Sequence, residues 1–321
     1  MVNIIIDGNY LLMARVFALH KNNLLFGELE NSLHNSIKTY KNWFPFEKVF
    51  IVSDSREKSW RKKLYNDYKG TRKKDTDIDW EFVYAVYNDF KRDIQKPNTL
   101  VVEEPHIEGD DWISYISQTE NKRGISNIIV SNDHDIKQII NYKTDPLYIN
   151  VMTNEIYGKQ KFFIPENYQI FKDALNKGIS DDVFDMNDNQ VFLNLLDNFI
   201  KNYDVKEINP VEALITKVIS GDVSDNILSV YKSDTGRGIG EKGAKTLYDK
   251  YITEFGDIDI MDPDLSENIA DLICEVKNLS KSNLSDIKKR IDDNMKIINL
   301  GLHVIPGAVT KKMESHLKSK L

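Results

Sequence analysis

The tightest constraint on the fold is a series of short β-branched runs that each lead into an acid. Val2 to Ile6 runs into Asp7, Lys48 to Ser53 into Asp54, Thr99 to Val102 into Glu103 and Glu104, and Asn127 to Ser131 into Asp133. Runs this short and this apolar read as buried strands. Between them lie stretches with helical spacing: Leu11, Leu12 and Val16; Leu33, Ile37 and Tyr40; Phe82, Val83, Val86 and Phe90. Strand and helix in alternation predict an α/β fold with a central, mostly parallel sheet flanked by helices. Open sheets of this kind carry their sites beyond the carboxyl ends of the strands. The acids are therefore expected along one edge.

The pattern is densest from Ile107 to Ile140. Glu108, Asp110 and Asp111 open a helix marked by Trp112, Ile113, Tyr115 and Ile116. Carboxylates in a first helical turn are favoured by the helix dipole. Asp133 and Asp135 follow the next strand. Further on, Asn209-Pro210-Val211-Glu212 is a helix start, with Asn as cap and Pro in the first turn. That helix stops at Gly221, and Asp222 and Asp225 lie in the polar turn after it. The glycine-rich Gly236 to Ala244 then leads into another helix, whose first amides can bind a phosphate. Residues 147–163 read as one or two strands around Tyr157-Gly158. Residues 166–208 read as a partly helical insertion without nameable chemistry. Residues 262–321 read as helices with a basic end at Lys311, Lys312, Lys318 and Lys320.

Nine acids thus end strands or start helices: Asp7, Asp54, Glu108, Asp110, Asp111, Asp133, Asp135, Asp222 and Asp225. Each alone is adequately read as a helix cap or a solvated charge; Asp111 beside Asp110 is a ready cap. As a set they point to cations, because two carboxylates about 5 Å apart repel by roughly 3 kcal/mol at an effective dielectric near 20. The donors are oxygens with no Cys or His cluster, and His106 and His134 read as bystanders. The ions expected are hard, Mg²⁺ or Mn²⁺. Two such ions suit phosphodiester cleavage, with no dedicated protein base required. The chain carries 43 basic and 50 acidic residues, a net charge of −7. Setting the candidate ligands aside leaves the remainder close to neutral, so a nucleic-acid partner is not excluded. Cys274 is the one cysteine, which rules out an internal disulfide and suits a reducing compartment. The start has no basic leader, so no signal peptide is expected. No apolar run approaches the roughly 18 residues of a membrane span.

Arg61, Tyr65, Tyr68, Lys69 and Arg72 recur at helical spacing. On one helix they would share a face and offer phosphate and base contacts to a single strand. The plainer reading is a solvated lysine-rich helix that frays after Gly70-Thr71. Two sharper alternatives fail on detail. Asp185 to Asn189 resembles a calcium loop, but Gln190 and Leu196 stand where Gly and a bidentate Glu are needed. Asp133 as a phosphatase nucleophile would leave Asp7, Asp54 and the Asp222/Asp225 turn unexplained.

These motifs, taken together, resemble the 5′ nuclease (flap endonuclease) superfamily. They are Asp7; Asp54 before Trp60-Arg61, Tyr68-Lys69 and Arg72; Glu108-Gly109-Asp110-Asp111; Ser131-Asn132-Asp133-His134-Asp135; and Gly221-Asp222-Val223-Ser224-Asp225-Asn226 before a Gly-Ile-Gly turn. The likeness is strongest to its T-even bacteriophage ribonuclease H branch. The resemblance implies a Mg²⁺-dependent 5′→3′ exonuclease and flap endonuclease that removes RNA primers and 5′ flaps during lagging-strand synthesis. Asp7, Asp54, Glu108, Asp110, Asp133 and Asp135 would hold a first metal, and Asp111, Asp222 and Asp225 a second or its waters. Arg61 and Lys69 would contact the scissile phosphate and Tyr68 would stack on a base. Lys62, Arg72, Lys73 and Lys74 would contact DNA in a helical arch near 60–95. Arg237, Gly238, Gly240 and Lys242 would grip duplex through a helix–three-turn–helix near 221–251, although Leu228 to Arg237 separate its parts. The expected division is an α/β nuclease domain over 1–165 and a helical domain over 166–321. Expected partners are DNA flaps, nicked duplexes and RNA–DNA hybrids, with a sliding clamp and a single-strand-binding protein as candidates. The expected setting is a monomer in the cytoplasm of an infected bacterial host. The competing readings are a small-substrate phosphohydrolase using Asp133, which would not need the Arg61–Arg72 stripe, and a DNA-structure-binding protein without catalysis.

Overall fold

A computed structural model of the chain describes residues 2–42, 46–71, 77–123, 125–140, 147–150, 153, 155–157, 204–206, 208–233 and 235–320. The chain divides into two compact units. One comprises Met1–Lys58, Asp75–Ile208 and Ile305–Leu321; the other comprises Ser59–Lys74 and Asn209–Val304.

The first unit is built on a seven-stranded sheet: β1 (Val2–Asp7), β2 (Phe46–Val52), β3 (Thr99–Val102), β4 (Ser126–Val130), β5 (Leu147–Asn150), β6 (Glu155–Tyr157) and β7 (Asp204–Lys206), in the order β3-β2-β1-β4-β5-β6-β7. Pairing is parallel throughout except between β5 and β6. The strand order reverses between β1 and β4, which makes the crevice above that pair the topological switch point. Strand β7 lies in the stretch read as a partly helical insertion. The rest of 166–203 falls outside the described residues.

The two faces of β1 differ in chemistry, because side chains alternate along a strand. Ile4 and Ile6 pack into one cluster with Leu11, Leu12 and Val16 of α1 (Gly8–His20), Leu29, Leu33 and Ile37 of α2 (Leu25–Lys41), and Val83, Tyr87 and Phe90 of α4 (Trp80–Ile94). A fully buried side chain of this kind contributes about 1.5–3 kcal/mol. The opposite face carries Asn3, Ile5 and Asp7, beside Asn127 and Ile129 of β4. It meets α5 (Gly109–Lys122): Asn3 Nδ2 donates to Glu120 Oε2 at 3.2 Å, and Asn127 Nδ2 donates to Asn121 Oδ1 at 2.9 Å.

The domain boundary is not the single cut at 165/166 that the sequence suggests. The last helix, α10 (Gly307–Lys320), belongs to the sheet unit. Its Lys312 pairs with Glu104 at 2.9 Å, His316 Nδ1 lies 2.8 Å from the same carboxylate, and Met313 is buried. The basic end is therefore a docked helix and not a free tail. Residues 59–71 go with the helical unit, because Tyr68 is buried in its core.

That helical unit contains α3 (Arg61–Leu64), α6 (Pro210–Ser220), α7 (Glu241–Phe255), α8 (Leu265–Lys277) and α9 (Leu284–Ile298). Asn209 caps α6, its Oδ1 accepting from Val211 N at 3.1 Å and Glu212 N at 3.2 Å. Leu214, Ile215, Val218 and Ile219 of α6 bury against Leu247, Tyr248 and Tyr251 of α7 and Ile287 and Ile291 of α9.

Candidate metal centre and nucleic-acid contacts

Asp7 is both the last residue of β1 and the cap of α1. Its Oδ1 accepts from Tyr10 N at 2.9 Å and its Oδ2 accepts from Ser131 Oγ at 2.7 Å. Ser131 is fully buried and also accepts from Asp133 N at 3.1 Å. One hydroxyl thus couples the ends of β1 and β4 at the switch point. Asp133 in turn caps the short 3₁₀ turn His134–Ile139, its Oδ1 accepting from Asp135 N at 2.8 Å.

Asp54 follows β2 and reaches across to the start of α5, where its Oδ1 accepts from Gly109 N at 2.7 Å. Glu108 caps α5, and Asp111 Oδ2 accepts from Glu108 N at 3.2 Å in a capping box. Asp111 is fully buried, whereas Asp110 beside it is half-exposed on the first turn. The structure thus brings Asp7, Asp54, Glu108, Asp110, Asp111, Asp133 and Asp135 to the carboxyl edge of one sheet. Burial raises Asp7 from 3.8 to about 6; the Tyr10 amide and Ser131 oppose this, while the charges of Asp54 and Asp133 reinforce it. A carboxylate crowded by two others in a dry position calls for a counter-ion.

Among the described residues no three His, Cys, Asp or Glu side chains converge into a closed ligand shell. Asp7, Asp54, Asp111 and Asp133 each accept a hydrogen bond from a backbone amide. The donor set still fits a hard divalent cation, since the available donors are carboxylate oxygens and such ions commonly keep several waters.

Three residues behind the acids were not legible as site residues. Ser53 Oγ lies 2.7 Å from the hydroxyl of Tyr87, and both are buried. A Cβ on Gly8 would sit 2.2 Å from that hydroxyl and 2.7 Å from Val52 O, so only glycine fits where α1 leaves the strand. Burial pushes the Tyr87 phenol upward, its bond to Ser53 notwithstanding. Ser131 belongs with them; it stood in the acid motif but read as part of the strand.

In the helical unit the basic stripe is corrected. The helix covers only Arg61–Leu64, Tyr65 is extended, and Lys69 has φ of 53°. Arg61, Tyr65, Tyr68 and Lys69 therefore do not line one helical face. Arg61 is buried; its Nε donates to Ile297 O at 2.8 Å and its guanidinium lies 4.5 Å from the Trp60 ring. Tyr68 is buried in the core and so placed does not present its ring for stacking. Lys69 N donates to Asp225 O at 2.8 Å, and Asn226 Nδ2 donates to Asp67 O at 3.1 Å. These bonds fasten the segment to the acidic turn. Lys62 Nζ donates to Asn66 O at 3.3 Å. Arg72, Lys73 and Lys74, expected in an arch, lie outside the described residues.

Asp222 Oδ2 pairs with Lys217 at 2.7 Å, and its Oδ1 accepts from Ser224 N at 2.8 Å and Ser224 Oγ at 2.7 Å. Burial would raise this carboxyl, but Lys217 and Ser224 outweigh it and hold it low. Asp225 is buried beside it. Ser229, in the intervening Leu228–Arg237 stretch, is tied to the end of α6 and to the residues just before α7: its Oγ accepts from Ile239 N at 2.9 Å and donates to Ile219 O at 3.1 Å. A Cβ on Gly238 would lie 2.8 Å from that of Ser229. Gly240 caps α7 with no side chain to take its first amides, and Arg237 and Lys242 are exposed on either side.

A switch-point crevice edged by carboxylates, with a helical unit opening a helix on glycine, defines a resolvase-like nuclease architecture. The profile of the family described as "5'-3' exonuclease, N-terminal resolvase-like domain" matches residues 2–169, and the chain belongs to that family. It is accordingly a nuclease. The 5'-3' exonuclease of Buchnera aphidicola subsp. Acyrthosiphon pisum is 26% identical over 305 residues, covering 91% of this chain and 81% of the relative. The fold matches the zinc-bound bacteriophage T5 5'-exonuclease with a TM-score of 0.62 at 16% identity, over 99% of this chain and 100% of that one. It also matches a T5 flap endonuclease solved as a pseudo-enzyme-product complex with DNA and metal ions, at the same TM-score and identity, over 100% of this chain and 99% of that one.

Proposed function

We propose that the chain is a divalent-metal-dependent 5′→3′ exonuclease and flap endonuclease, working with Mg²⁺ on nicked or branched duplexes and on RNA primers paired to DNA. The observation that carries this is the row of acids that follow successive strands along the carboxyl edge of one sheet, with Asp7 raised to about 6 by burial and its acidic neighbours. Asp7, Asp54, Glu108, Asp110, Asp133 and Asp135 would hold the cation directly or through water. A bound divalent ion supplies charge stabilisation to the attacking and leaving oxygens of the phosphodiester. Ser131 orients Asp7, and the capping box orients Glu108. The geometry of Asp111 favours that orienting role over ligation. Asp222 and Asp225 are proposed to serve a second cation or its waters. The glycine-capped start of α7, with Arg237, Gly238, Gly240 and Lys242, is proposed to take a duplex phosphate. The setting proposed is lagging-strand replication in an infected bacterium, with a sliding clamp and a single-strand-binding protein as partners. The T5 structures solved with metal ions and with DNA support a metal-dependent reaction on DNA.

The test is a 5′-labelled flap on a nicked duplex, with wild type and Asp133→Asn compared in Mg²⁺, Ca²⁺ and EDTA. Cleavage near the junction that needs Mg²⁺ and is lost in the variant, while binding in Ca²⁺ survives, is the expected result. Tight binding without cleavage in Mg²⁺ or Mn²⁺ would instead establish a non-catalytic binder of DNA structure.

A further inference from the structure

One face of α4 is aromatic over its first two turns. Trp80, Tyr84 and Tyr87 recur at i, i+4 and i+7 and so share that face. At one end, Tyr87 bonds to Ser53, the residue before Asp54. At the other, the Trp80 ring lies 6.0 Å from Tyr84 at 34° and 6.5 Å from Phe17 of α1 at 77°. Phe17 is 49% exposed, and Trp80 and Tyr84 are half-buried. A single exposed phenylalanine at the rim of a core needs no explanation. Here the exposed ring continues a ladder that leads to a functional edge, which an ordinary core rim does not do. Tyr84 is within electrostatic reach of that edge: burial first, and then the Asp54 charge, raises its phenol, while the exposed Arg56 opposes them.

We propose that Phe17, Trp80 and Tyr84 form a stacking platform for the bases of an unpaired strand held at the acidic edge. Aromatic faces accept any base, and Arg56 suits the accompanying phosphates. Trp80 is seven residues from Tyr87 along α4, about 10 Å. If the bases keep the 3.4 Å stacking of a duplex strand, that distance spans about three nucleotides. The platform therefore acts on bases a few nucleotides from the acids and not on the scissile one. This inference rests on the nuclease reading above.

The test measures binding of a duplex with a 5′ single-stranded extension, in Ca²⁺ to prevent turnover, by fluorescence anisotropy. Wild type, Phe17→Ala and Tyr84→Leu are each given the extension with normal bases, the same extension with abasic sites, and a blunt duplex. Loss of stacking should weaken wild-type binding of the abasic extension roughly tenfold. Phe17→Ala and Tyr84→Leu should each bind the normal extension more weakly than wild type does, by part of the abasic loss. Each should then lose less than wild type on abasic substitution, and blunt-duplex affinity should be unchanged. Moving one abasic site along the extension should place the effect a few nucleotides from the junction. An abasic extension bound as tightly as the normal one by wild type would overturn the platform, and so would equal abasic losses in wild type and variants. Either result would leave the aromatic face to a protein partner. Mg²⁺-dependent flap cleavage by wild type in the same series keeps the two readings apart: its persistence alongside a failed abasic test sinks the platform alone, and its absence sinks both.

Discussion

Ser131 Oγ donates to Asp7 Oδ2 at 2.7 Å while accepting from Asp133 N at 3.1 Å, so a neutral hydroxyl joins the carboxylate at the end of β1 to the backbone of the acid that follows β4. Replacing Ser131 by Ala removes a charge-assisted bond in a fully buried position. Such a bond is worth about 1.5–3 kcal/mol, and the loss should appear in urea unfolding. Because the lost bond favours the ionised form of Asp7, the destabilisation should be larger at pH 8 than at pH 5. A variant equally stable at both pH values would show that Ser131 is mere filler. Divalent-ion affinity should also fall, because Asp7 loses its fixed orientation.

The raised pKa of Asp7 makes the metal-free protein pH-sensitive in a defined direction. Folding shifts this carboxyl from 3.8 to about 6, so between those values the folded chain binds more protons than the unfolded one. Stability from this group is full below about pH 4 and is lost as pH rises through about 6. The loss is on the order of 3 kcal/mol for a shift of about two units. Asp7→Asn should abolish that slope, so the wild-type minus variant difference in EDTA isolates it from acids with lowered values such as Asp222 and Glu104. Saturating Mg²⁺ should flatten the wild-type curve, since bound cation favours the ionised form. A curve unaffected by both changes would place the titration elsewhere.

Most of the acid edge was legible because it follows from local rules: a β-branched run fixes a strand, and its last residue fixes the edge. Asp7, Asp54 and Asp133 needed nothing more, and Glu108 only the helix start that follows it. The basic segment after Asp54 was misread because 3.6-residue spacing was all it offered. Tertiary bonds from Asp225 and Asn226 hold residues 67–69 in turns, a constraint with no local signature. The domain division failed for the same reason. What assigns Tyr68 to the helical unit and α10 to the sheet is burial and the Glu104 contacts, between residues far apart in sequence. Ser131, Ser53 and Tyr87 were invisible as site residues because small hydroxyls and core aromatics carry no mark of their partners.

The buried position of Arg61 turns its expected part in catalysis into a question of stability. Its Nε satisfies the Ile297 carbonyl in the last turn of α9. Arg61→Met keeps much of the stem but leaves that carbonyl without its donor, at a cost of about 1–3 kcal/mol. The loss should appear as a lower unfolding midpoint of the helical unit, followed by hydrogen exchange in α9. If stability held while flap cleavage collapsed, Arg61 would have to act on substrate after all.

Gly8 and Tyr87 provide the sharpest internal check on how the acid edge is assembled. Alanine is ordinarily better than glycine inside a helix by about 1 kcal/mol, so Gly8→Ala would be stabilising if α1 were an isolated helix. Here the new Cβ would lie 2.2 Å from the Tyr87 hydroxyl, 2.7 Å from Val52 O and 2.8 Å from Ser53 Oγ. Overpacking of that kind costs about 1–3 kcal/mol and should outweigh the helical gain. Tyr87→Phe alone deletes the bond to Ser53 and should cost about 1 kcal/mol. The two changes together should cost less than their sum, because removing the hydroxyl relieves the shortest contact. A coupling of about 0.5 kcal/mol or more is expected from unfolding of all four proteins. Strict additivity would mean that the Val52 carbonyl alone excludes the methyl group. Gly8 would then be required by the backbone of β2 and not by the hydroxyl pair beneath Asp54. Activity separates the cases further: strain passed through Ser53 displaces Asp54, so Gly8→Ala should weaken divalent-ion binding and Tyr87→Phe should partly restore it.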